Sequence, residues 1–302
     1  MSATKENFAQ LETEQRNFRT TKIDTMSTAD LIKTLHAENH TIASAVDATL
    51  PTVALLVDVI AERLAAGGRL FYCGAGTSGR LGVLDASECP PTFGVPPTMV
   101  QGLIAGGQKA LTSAVEGAED SRQLAEEDLK EKGFSKNDVL VAIAASGRTP
   151  YCIGALQYAR SIGAVTGAVV NVSDSALSKY ADYTMAAVTG PEPITGSTRM
   201  KAGTAQKLLL NLITSASMVK LGKVYENLMV DVQASNEKLR NRAVRIVQEA
   251  TGKDSEICRR ALEDASGNAK KAIVMLLLGL SQEKAALELD GAAGHISRIA
   301  ND

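Results

Sequence analysis

From about Arg69 to Val188 the sequence alternates short apolar runs with segments long enough to form helices. Each run is apolar without a polar alternation, which is typical of strands buried on both faces of a parallel sheet that helices cover. The runs are RLFYC, MVQGLIA, DVLVAIAA, AVTGAVVNV and YTMAAV. This rhythm predicts a three-layer α/β/α domain over about residues 50–225, which ends in a long amphipathic helix over 201–221.

The charge balance and the apolar runs exclude several classes of protein. The 302 residues carry 32 Lys+Arg against 34 Asp+Glu, so the chain lacks the basic excess that binding to nucleic acid or an anionic membrane requires. We therefore expect neither partner. No uninterrupted apolar run is longer than that of residues 272–278, which is far shorter than the roughly 20 residues of a membrane span. Residues 1–17 are polar and lack the apolar stretch of a secretory signal, so we expect a cytoplasmic location.

The cysteines and histidines do not indicate a metal site. Four cysteines lie far apart, without the paired spacing of a zinc site or the density of a disulfide framework, so we expect them to be reduced and mostly buried. His36 and His40 share a helical face, but the order of residues between them differs from the zinc motif H-E-x-x-H, and no third ligand is apparent.

Helical segments flank the predicted sheet domain on both sides. Residues 1–49 contain an N-terminal arm, up to about residue 26, which would need a partner surface to become ordered, and helices that begin at Ser27 or Thr28 and near Thr41. Residues 226–302 form a C-terminal helical region with amphipathic segments at 254–264, 268–278 and 282–290. The run ALEDASGNAKKAIVMLLLGLS resembles part of ubiquitin-associated three-helix modules, from which we infer no function.

Three loops rich in Ser, Thr and Gly stand where strands lead into helices. They are GAGTSGR at 74–80, ASGRTP at 145–150 and TGSTRMKAGT at 195–204. Free amides at a helix N-terminus, a close backbone approach at glycine and added hydroxyls suit each loop for a phosphate, although turns and helix caps use the same residues. The first loop spells G-x-G-x-x-G, but Gln101 stands where a dinucleotide fold needs a carboxylate, and there is no P-loop motif.

Two acidic segments lie close to these loops in the sequence. Glu88 precedes Cys89-Pro90-Pro91, and the prolines predict that the helix ends there, with the carboxylate held by a stiff turn. Glu119 lies in the segment VEGAED at 115–120. A single glutamate is ordinarily a solvated surface residue, so the pattern alone leaves a catalytic role for either one open.

Taken together, these segments resemble the N-acetylmuramic acid 6-phosphate etherase family nearly letter for letter. The matching motifs are GAGTSGRLG at 74–82, DASECPP at 85–91, VEGAED at 115–120, AASGRTPY at 144–151, GSTRMKAGTAQK at 196–207 and NLMVDV at 227–232. The resemblance runs from about residue 12 to the end of the chain. It implies a sugar-isomerase-type domain with a five-stranded parallel sheet, a homodimer, and no metal or organic cofactor.

The resemblance also implies a reaction and its residues. The family cleaves the D-lactyl ether of N-acetylmuramic acid 6-phosphate with water, in bacterial cell-wall recycling, and its catalytic glutamates fall on Glu88 and Glu119. By analogy with other phosphosugar-binding domains, the 6-phosphate is held by Thr77, Ser78, Ser146, Gly147 and Thr149. Arg148, Arg199 and Lys201 are candidates for binding the phosphate or the lactyl carboxylate, and a structural salt bridge is an equal alternative for them.

Other functions fit parts of the same pattern. A non-catalytic phosphosugar-sensing regulatory protein is the main alternative, because the animal glucokinase regulator resembles this family. A sugar-phosphate-responsive transcription factor would need a basic helix-turn-helix, whereas residues 1–50 are slightly acidic. Aldose–ketose isomerisation also begins with removal of a proton from C2, and analysis of the products would distinguish it.

Overall fold

The computed structural model describes residues 10–113, 115–231 and 237–300. Its packing divides the chain into two compact units, Met1–Ser87 with Thr98–Ile213, and Glu88–Pro97 with Thr214–Asp302. The first nine residues of the predicted N-terminal arm, and Val232 of the sixth motif, lie outside the described residues.

The first unit contains a parallel five-stranded sheet in the order β2-β1-β3-β4-β5, so the predicted α/β class and its parallel sheet are confirmed. The strands match the predicted runs closely: β1 Leu70–Gly74, β2 Val100–Ile104, β3 Val139–Ala144, β4 Val165–Val170 and β5 Tyr183–Ala186. Strand β1 pairs with both β2 and β3, with Gly74 opposite Ile104 on one side and Ile143 on the other. Every residue of β1 and β3 is buried, which explains their uninterrupted apolar sequences.

Helices cover both faces of this sheet, which gives the predicted three layers. They are α1 Thr28–Glu38, α2 His40–Asp47, α3 Leu50–Ala65, α4 Gly76–Phe93, α5 Arg122–Glu131, α6 Pro150–Ser161 and α7 Lys201–Lys220. On one face, α5 and α6 bury a cluster that includes Phe71, Leu140 and Leu156. On the other face, Leu56 of α3 lies against Gly167, and Gly82 of α4 lies against Tyr72. The four cysteines are free and buried, as expected.

The N-terminal segment is ordered against the first unit's own loops. Between residues 10 and 26 it forms only short turns, yet Asn17 and Thr20 are buried. The Asn17 side-chain amide donates to the Pro191 carbonyl over 3.3 Å, and the Thr20 hydroxyl donates to the Pro193 carbonyl over 2.8 Å. The surface that orders this arm, within the described residues, therefore belongs to the same chain.

Helix α4 does not end before the two prolines, so the prediction of a stiff turn at Glu88 is wrong. The helix continues to Phe93, and Pro90 and Pro91 occupy its last turn. Proline's fixed φ is compatible with helical geometry; each proline forgoes the one hydrogen bond that its amide would donate to the residue four positions earlier, and the helix ends within a turn of Pro91. Gly94, with φ +65°, ends the helix, and its amide donates to the Pro90 carbonyl over 3.0 Å.

The second unit is helical apart from a short antiparallel hairpin. The hairpin pairs β6 Val224–Tyr225 with β7 Leu228–Met229. It is followed by α8 Glu237–Thr251, α9 Ser255–Asp264, α10 Ala269–Leu278, α11 Gln282–Gly291 and α12 Ile296–Ala300. The three predicted amphipathic segments are thus α9, α10 and α11, and α8 and α12 share their apolar core, which includes Val247, Leu262 and Ile273. The resemblance to a ubiquitin-associated module stays a prediction.

Within the described residues, no single helix has the length and apolar character needed to cross a membrane. One pair, Thr28–Asp47 with Leu50–Ala65, meets those criteria jointly but bends by 58° at its break.

Candidate active site

The first two Ser/Thr/Gly loops lie side by side at the carboxyl edge of the sheet. The first loop connects β1 to α4 and the second connects β3 to α6, and β1 and β3 are neighbouring parallel strands. The carboxyl ends of parallel strands are where open α/β sheets bind ligands, because the helices that follow present their N-termini there. The topology therefore brings two candidate phosphate loops together.

The first loop packs the start of α4 tightly onto the end of β1. A Cβ on Gly79 would lie 2.6 Å from the Gly74 carbonyl oxygen, which is too close for any residue other than glycine. Thr77 is half-buried at this turn, and Ser78 is buried. The Ser78 hydroxyl donates to Oε1 of Gln206 over 2.9 Å, so its proton is already engaged by the protein.

The second loop depends on the backbone of Gly147. This residue has φ +63°, and a Cβ there would lie 2.3 Å from Oγ of Ser175. Its carbonyl accepts hydrogen bonds from the Ser175 hydroxyl at 3.1 Å and from the Leu177 amide at 3.0 Å. Ser146 and Thr149 are half-buried on either side, and Pro150 begins α6. The N-terminus of α6 is thus a rigid turn with hydroxyls beside it, which suits an anion.

Arg148 in the same loop is held by Asp174. Its guanidinium donates to the Asp174 carbonyl over 2.6 Å and to the Asp174 carboxylate over 3.2 Å. Arg148 thus forms the structural salt bridge that the sequence left as an alternative, in a side chain that is only 13% exposed.

Two clefts at this edge of the sheet share Glu119. The larger, of about 550 Å³, is lined by Glu119 together with Ser146, Arg148 and Thr149 of the second loop. The smaller, of about 220 Å³, is lined by Glu119 together with Ala75, Gly76 and Arg80 of the first loop. A ligand that contacted both loops would therefore pass beside the Glu119 carboxylate.

Glu119 is presented to solvent on a short 3-10 turn, Ala118–Asp120. Gly117 before it has φ +75°, a conformation that glycine adopts without strain, and the turn packs against α6. Glu88 is also exposed, on α4. The structure assigns Glu119 to the first compact unit and Glu88 to the second.

The third loop differs from the first two because a carboxylate of the protein itself already binds the amides at its helix N-terminus. The carboxylate of Glu192 accepts hydrogen bonds from the amides of Lys201 and Ala202 at 2.8 and 2.9 Å. Glu192 is fully buried, and this burial raises the pKa of its carboxyl. The interpretation of this helix N-terminus as a phosphate cradle is therefore wrong, since a protein carboxylate occupies the anion position.

Lys201 is fully buried, and its ammonium group lies 3.2 Å from Glu38. Glu38 also accepts hydrogen bonds from Arg19 at 2.6 Å and from Asn17 at 2.7 Å. The hydrogen bonds from Arg19, helped by those from Asn17 and Lys201, lower the pKa of Glu38 to about 2 despite its burial. In this arrangement Lys201 makes the salt bridge that the sequence left as an alternative, whereas Arg199 is exposed.

Comparison with known proteins gives consistent matches over nearly the whole chain. An N-acetylmuramic acid 6-phosphate etherase of Actinobacillus succinogenes is 54% identical and covers 96% of each chain. The etherase of a Geobacillus species is 53% identical over 95% of this chain and 98% of its own, and that of Mycolicibacterium smegmatis is 52% identical over 95% and 96%. This chain belongs to the N-acetylmuramic acid 6-phosphate etherase family.

Domain families match the same regions. Residues 123–216 match the SIS domain, and residues 52–160 match the glucokinase regulatory protein N-terminal SIS domain. Residues 226–271 match the C-terminal lid domain of glucokinase regulatory protein. Among solved structures, a phosphoheptose isomerase of Neisseria gonorrhoeae is 17% identical, with a TM-score of 0.48 over 64% of this chain and 98% of its own.

In this etherase-family chain, the cleft beside Glu119 also contains cations that the sequence analysis did not select. Arg122 and Lys179 line the larger cleft together with Glu119. Both are exposed, so an anion in the cleft has access to them. Arg122 has a signal in the sequence, because it follows the VEGAED motif by two residues. Lys179 is far from every motif of the cleft in the sequence, and only the fold brings it to the cleft.

Proposed function

We propose that this chain is a carbon–oxygen lyase that cleaves the D-lactyl ether of N-acetylmuramic acid 6-phosphate with water. The products are N-acetylglucosamine 6-phosphate and D-lactate, and the reaction serves amino-sugar recycling from the cell wall. The observation that carries the proposal is the similarity to known etherases: their sequences are more than 50% identical to this chain and align with it almost from end to end. A Ser/Thr-rich edge of a parallel sheet with an exposed carboxylate beside it agrees with that assignment.

The chemistry follows from the substrate's aldehyde form. In the opened sugar the C2 proton is α to the C1 aldehyde, and the lactyl ether lies on C3, so removal of the C2 proton allows the lactyl oxygen to leave. Water then adds at C3 of the unsaturated aldehyde. One carboxylate takes the C2 proton while an acid protonates the leaving oxygen, and hydration reverses both transfers.

For these transfers we propose Glu88 and Glu119, the two glutamates of the matching motifs. Two carboxyl groups supply both the base and the acid, so no step in the proposal needs a metal or an organic cofactor. Glu119 is exposed beside the two loops, where a carboxylate could reach a bound sugar. We propose Glu88 as the proton donor to the leaving oxygen and Glu119 as its partner; because hydration reverses the transfers of elimination, each group transfers a proton in both directions.

We propose that the two loops bind the 6-phosphate through Thr77, Ser78, Ser146, Gly147 and Thr149. Helix N-termini with fixed amides and hydroxyls bind phosphate without a metal, and Arg122 and Lys179 add positive charge to the cleft. Holding a remote phosphate places C2 and C3 near the carboxylates, so the binding energy of the phosphate contributes to kcat/KM. For Lys201 we propose a positioning role, because Glu38 engages its buried ammonium.

A homodimer and a cytoplasmic location complete the proposal, and each has a direct measurement. Sedimentation velocity should give twice the chain mass of 31.7 kDa. Fractionation of cells should recover the lactate-releasing activity with other cytoplasmic enzymes.

The decisive experiment measures D-lactate release from N-acetylmuramic acid 6-phosphate by the wild type and by Glu88→Gln and Glu119→Gln. We expect each variant to lose at least about a hundredfold in kcat, the usual effect of removing a general acid or base. Glu131→Gln, an exposed glutamate of α5, is the matched control and should keep full activity. A wild type that releases no lactate would overturn the proposed reaction, and two fully active variants would overturn the assignment of residues.

The same assay separates the runner-up, a phosphosugar-sensing regulator, which two of the domain matches favour by name. A regulator would bind the phosphosugar without turnover. Running the reaction in deuterium oxide adds a test of the chemistry, because elimination and addition place deuterium at C2 of the product, whereas direct displacement at C3 leaves the C2 proton in place.

A further inference from the structure

A chain of buried hydrogen bonds links the first phosphate loop to the ends of two other strands. The Ser78 hydroxyl donates to Oε1 of Gln206 over 2.9 Å, and Nε2 of Gln206 donates to Oδ1 of Asn171 over 3.0 Å. Nδ2 of Asn171 then donates to the Ala187 carbonyl over 2.9 Å. Gln206 is 1% exposed and Asn171 is fully buried, so water does not compete for these bonds.

The second phosphate loop is attached to the same chain. The backbone amide of Asn171 donates to the carbonyl of Ala145, the first residue of that loop, over 3.0 Å. Asn171 therefore holds the second loop through its backbone and Gln206 through its side chain. Gln206, on the second turn of α7, is the link through which the first loop, the second loop and the end of β5 share one polar network.

From this geometry we infer that Gln206 is a positioning residue for phosphate binding, and that it acts by fixing the distance between the two loops. The inference rests on the proposed phosphosugar function. Gln206 itself contacts Ser78 and Asn171, not the cleft residues, so its effect passes through them. An amide is the side chain this role requires, because it accepts from one partner and donates to the other.

Loss of the amide should weaken the phosphate site more than it impairs the chemical step. Gln206→Leu removes both hydrogen bonds and leaves Ser78 and Asn171 without this partner. The side-chain connection that fixes the distance between the two loops is then lost. We expect KM for the phosphorylated substrate to rise about tenfold, with kcat changed by less than about threefold. Glu119 is not part of the network, which is why kcat should be nearly preserved.

The test compares inhibition of lactate release by N-acetylglucosamine 6-phosphate and by N-acetylglucosamine. In Gln206→Leu the inhibition constant of the phosphorylated sugar should rise with KM, while that of the unphosphorylated sugar stays unchanged. A general loss of structure would raise both constants alike and would overturn the inference. Asn211→Leu is the matched control: it also lies on α7 and breaks a bond to α4, that of Asn211 with Asp85, so it should lower stability without changing either constant.

A double-mutant cycle tests whether Gln206 acts through Ser78. Ser78→Ala and Gln206→Leu should each raise KM, and because both break the Ser78–Gln206 bond, the double variant should raise KM by less than the product of the two single effects. Effects on KM that multiply would contradict the inference. If Gln206→Leu does not fold, Gln206→Met keeps an unbranched side chain of similar length and loses both hydrogen bonds, and an unchanged KM in that variant would also contradict it.

Failure of this inference is distinguishable from failure of the proposed function. If the wild type releases no lactate, the proposed reaction is wrong. If the wild type is active and Gln206→Leu keeps its KM and both inhibition constants, the reaction stands and only the role proposed for Gln206 is wrong.

Discussion

Lys201 donates from its Nζ to Oε2 of Glu38 over 3.2 Å, in a salt bridge buried within the first unit. Arg19 donates to the same carboxylate from its exposed guanidinium, over 2.6 Å at the shorter contact. The carboxylate of Glu38, at the end of α1, therefore binds one cation from the N-terminal segment and one from the start of α7. Because buried charges are costly without partners, this network ties the N-terminal segment and α1 to the start of α7.

We expect loss of Glu38 to be among the most destabilising changes in the first unit. Glu38→Leu leaves the buried Lys201 ammonium without its partner and should cost about 3–5 kcal/mol in the free energy of unfolding, measured by urea denaturation. The double variant Glu38→Leu/Lys201→Met should recover most of that loss. Lys130→Met, which breaks an exposed pair with Glu126, is the control and should cost less than about 1 kcal/mol. Equal costs for the two single changes would show that the buried pair is unimportant.

The contribution of Glu38 should depend on pH. The pKa of Glu38 falls from 4.5 to about 2 on folding, so its stabilisation is complete above pH 4.5 and is lost as the pH falls toward 2. The difference in unfolding free energy between wild type and Glu38→Gln should therefore shrink over that range, by an amount on the order of 2 kcal/mol. Glu192 acts in the opposite direction because burial raises its pKa. This main cause is common to both proteins and cancels in the difference, which leaves only the smaller repulsion that the Glu38 charge adds at Glu192. A difference that stays constant with pH would contradict the assignment.

Gly147→Ala and Gly163→Ala form a matched pair. Both glycines have a positive φ, +63° and +79°, so alanine strains the backbone at each by about 1–2 kcal/mol. Only at Gly147 does the added Cβ meet another atom, Oγ of Ser175 at 2.3 Å, whereas the space around Gly163 is open. Gly147→Ala should therefore cost at least about 1 kcal/mol more in thermal unfolding and should also raise KM, because the second loop must shift. Similar melting temperatures for both variants would argue against close packing of this loop on Ser175.

Removal of the Glu192 carboxylate should destabilise the start of α7. Glu192→Ala leaves two buried amides without their acceptor, which should cost about 2–3 kcal/mol in urea denaturation. Asp254→Ala removes an exposed carboxylate cap from α9, where water can replace it, and should cost about 1 kcal/mol. If Glu192→Ala costs no more than Asp254→Ala, the buried cap contributes nothing beyond an ordinary one.

Local patterns were sufficient for the strands of the parallel sheet, although not for the β6–β7 hairpin or for α8 and α12. The apolar runs predicted all five strands because burial on both faces leaves a continuous apolar sequence. The predicted end of α4 is a few residues too early because proline disfavours a helix interior without necessarily ending the helix at its own position, and only the observed position of Gly94 shows where the helix stops. The motifs also marked the two loops that the sheet brings together, since strand-to-helix turns have a local signature.

The amino-acid sequence by itself determined the parallel α/β sheet, its loops, the pair of motif glutamates and the family. Only the tertiary structure decided which polar groups are already engaged: Ser78 by Gln206, the α7 N-terminus by Glu192, and Lys201 by Glu38. The physical reason is distance along the chain. Glu38 and Lys201 are 163 residues apart and Ser78 and Gln206 are 128 apart, so no local pattern records these bonds, and they form only when folding brings their elements together.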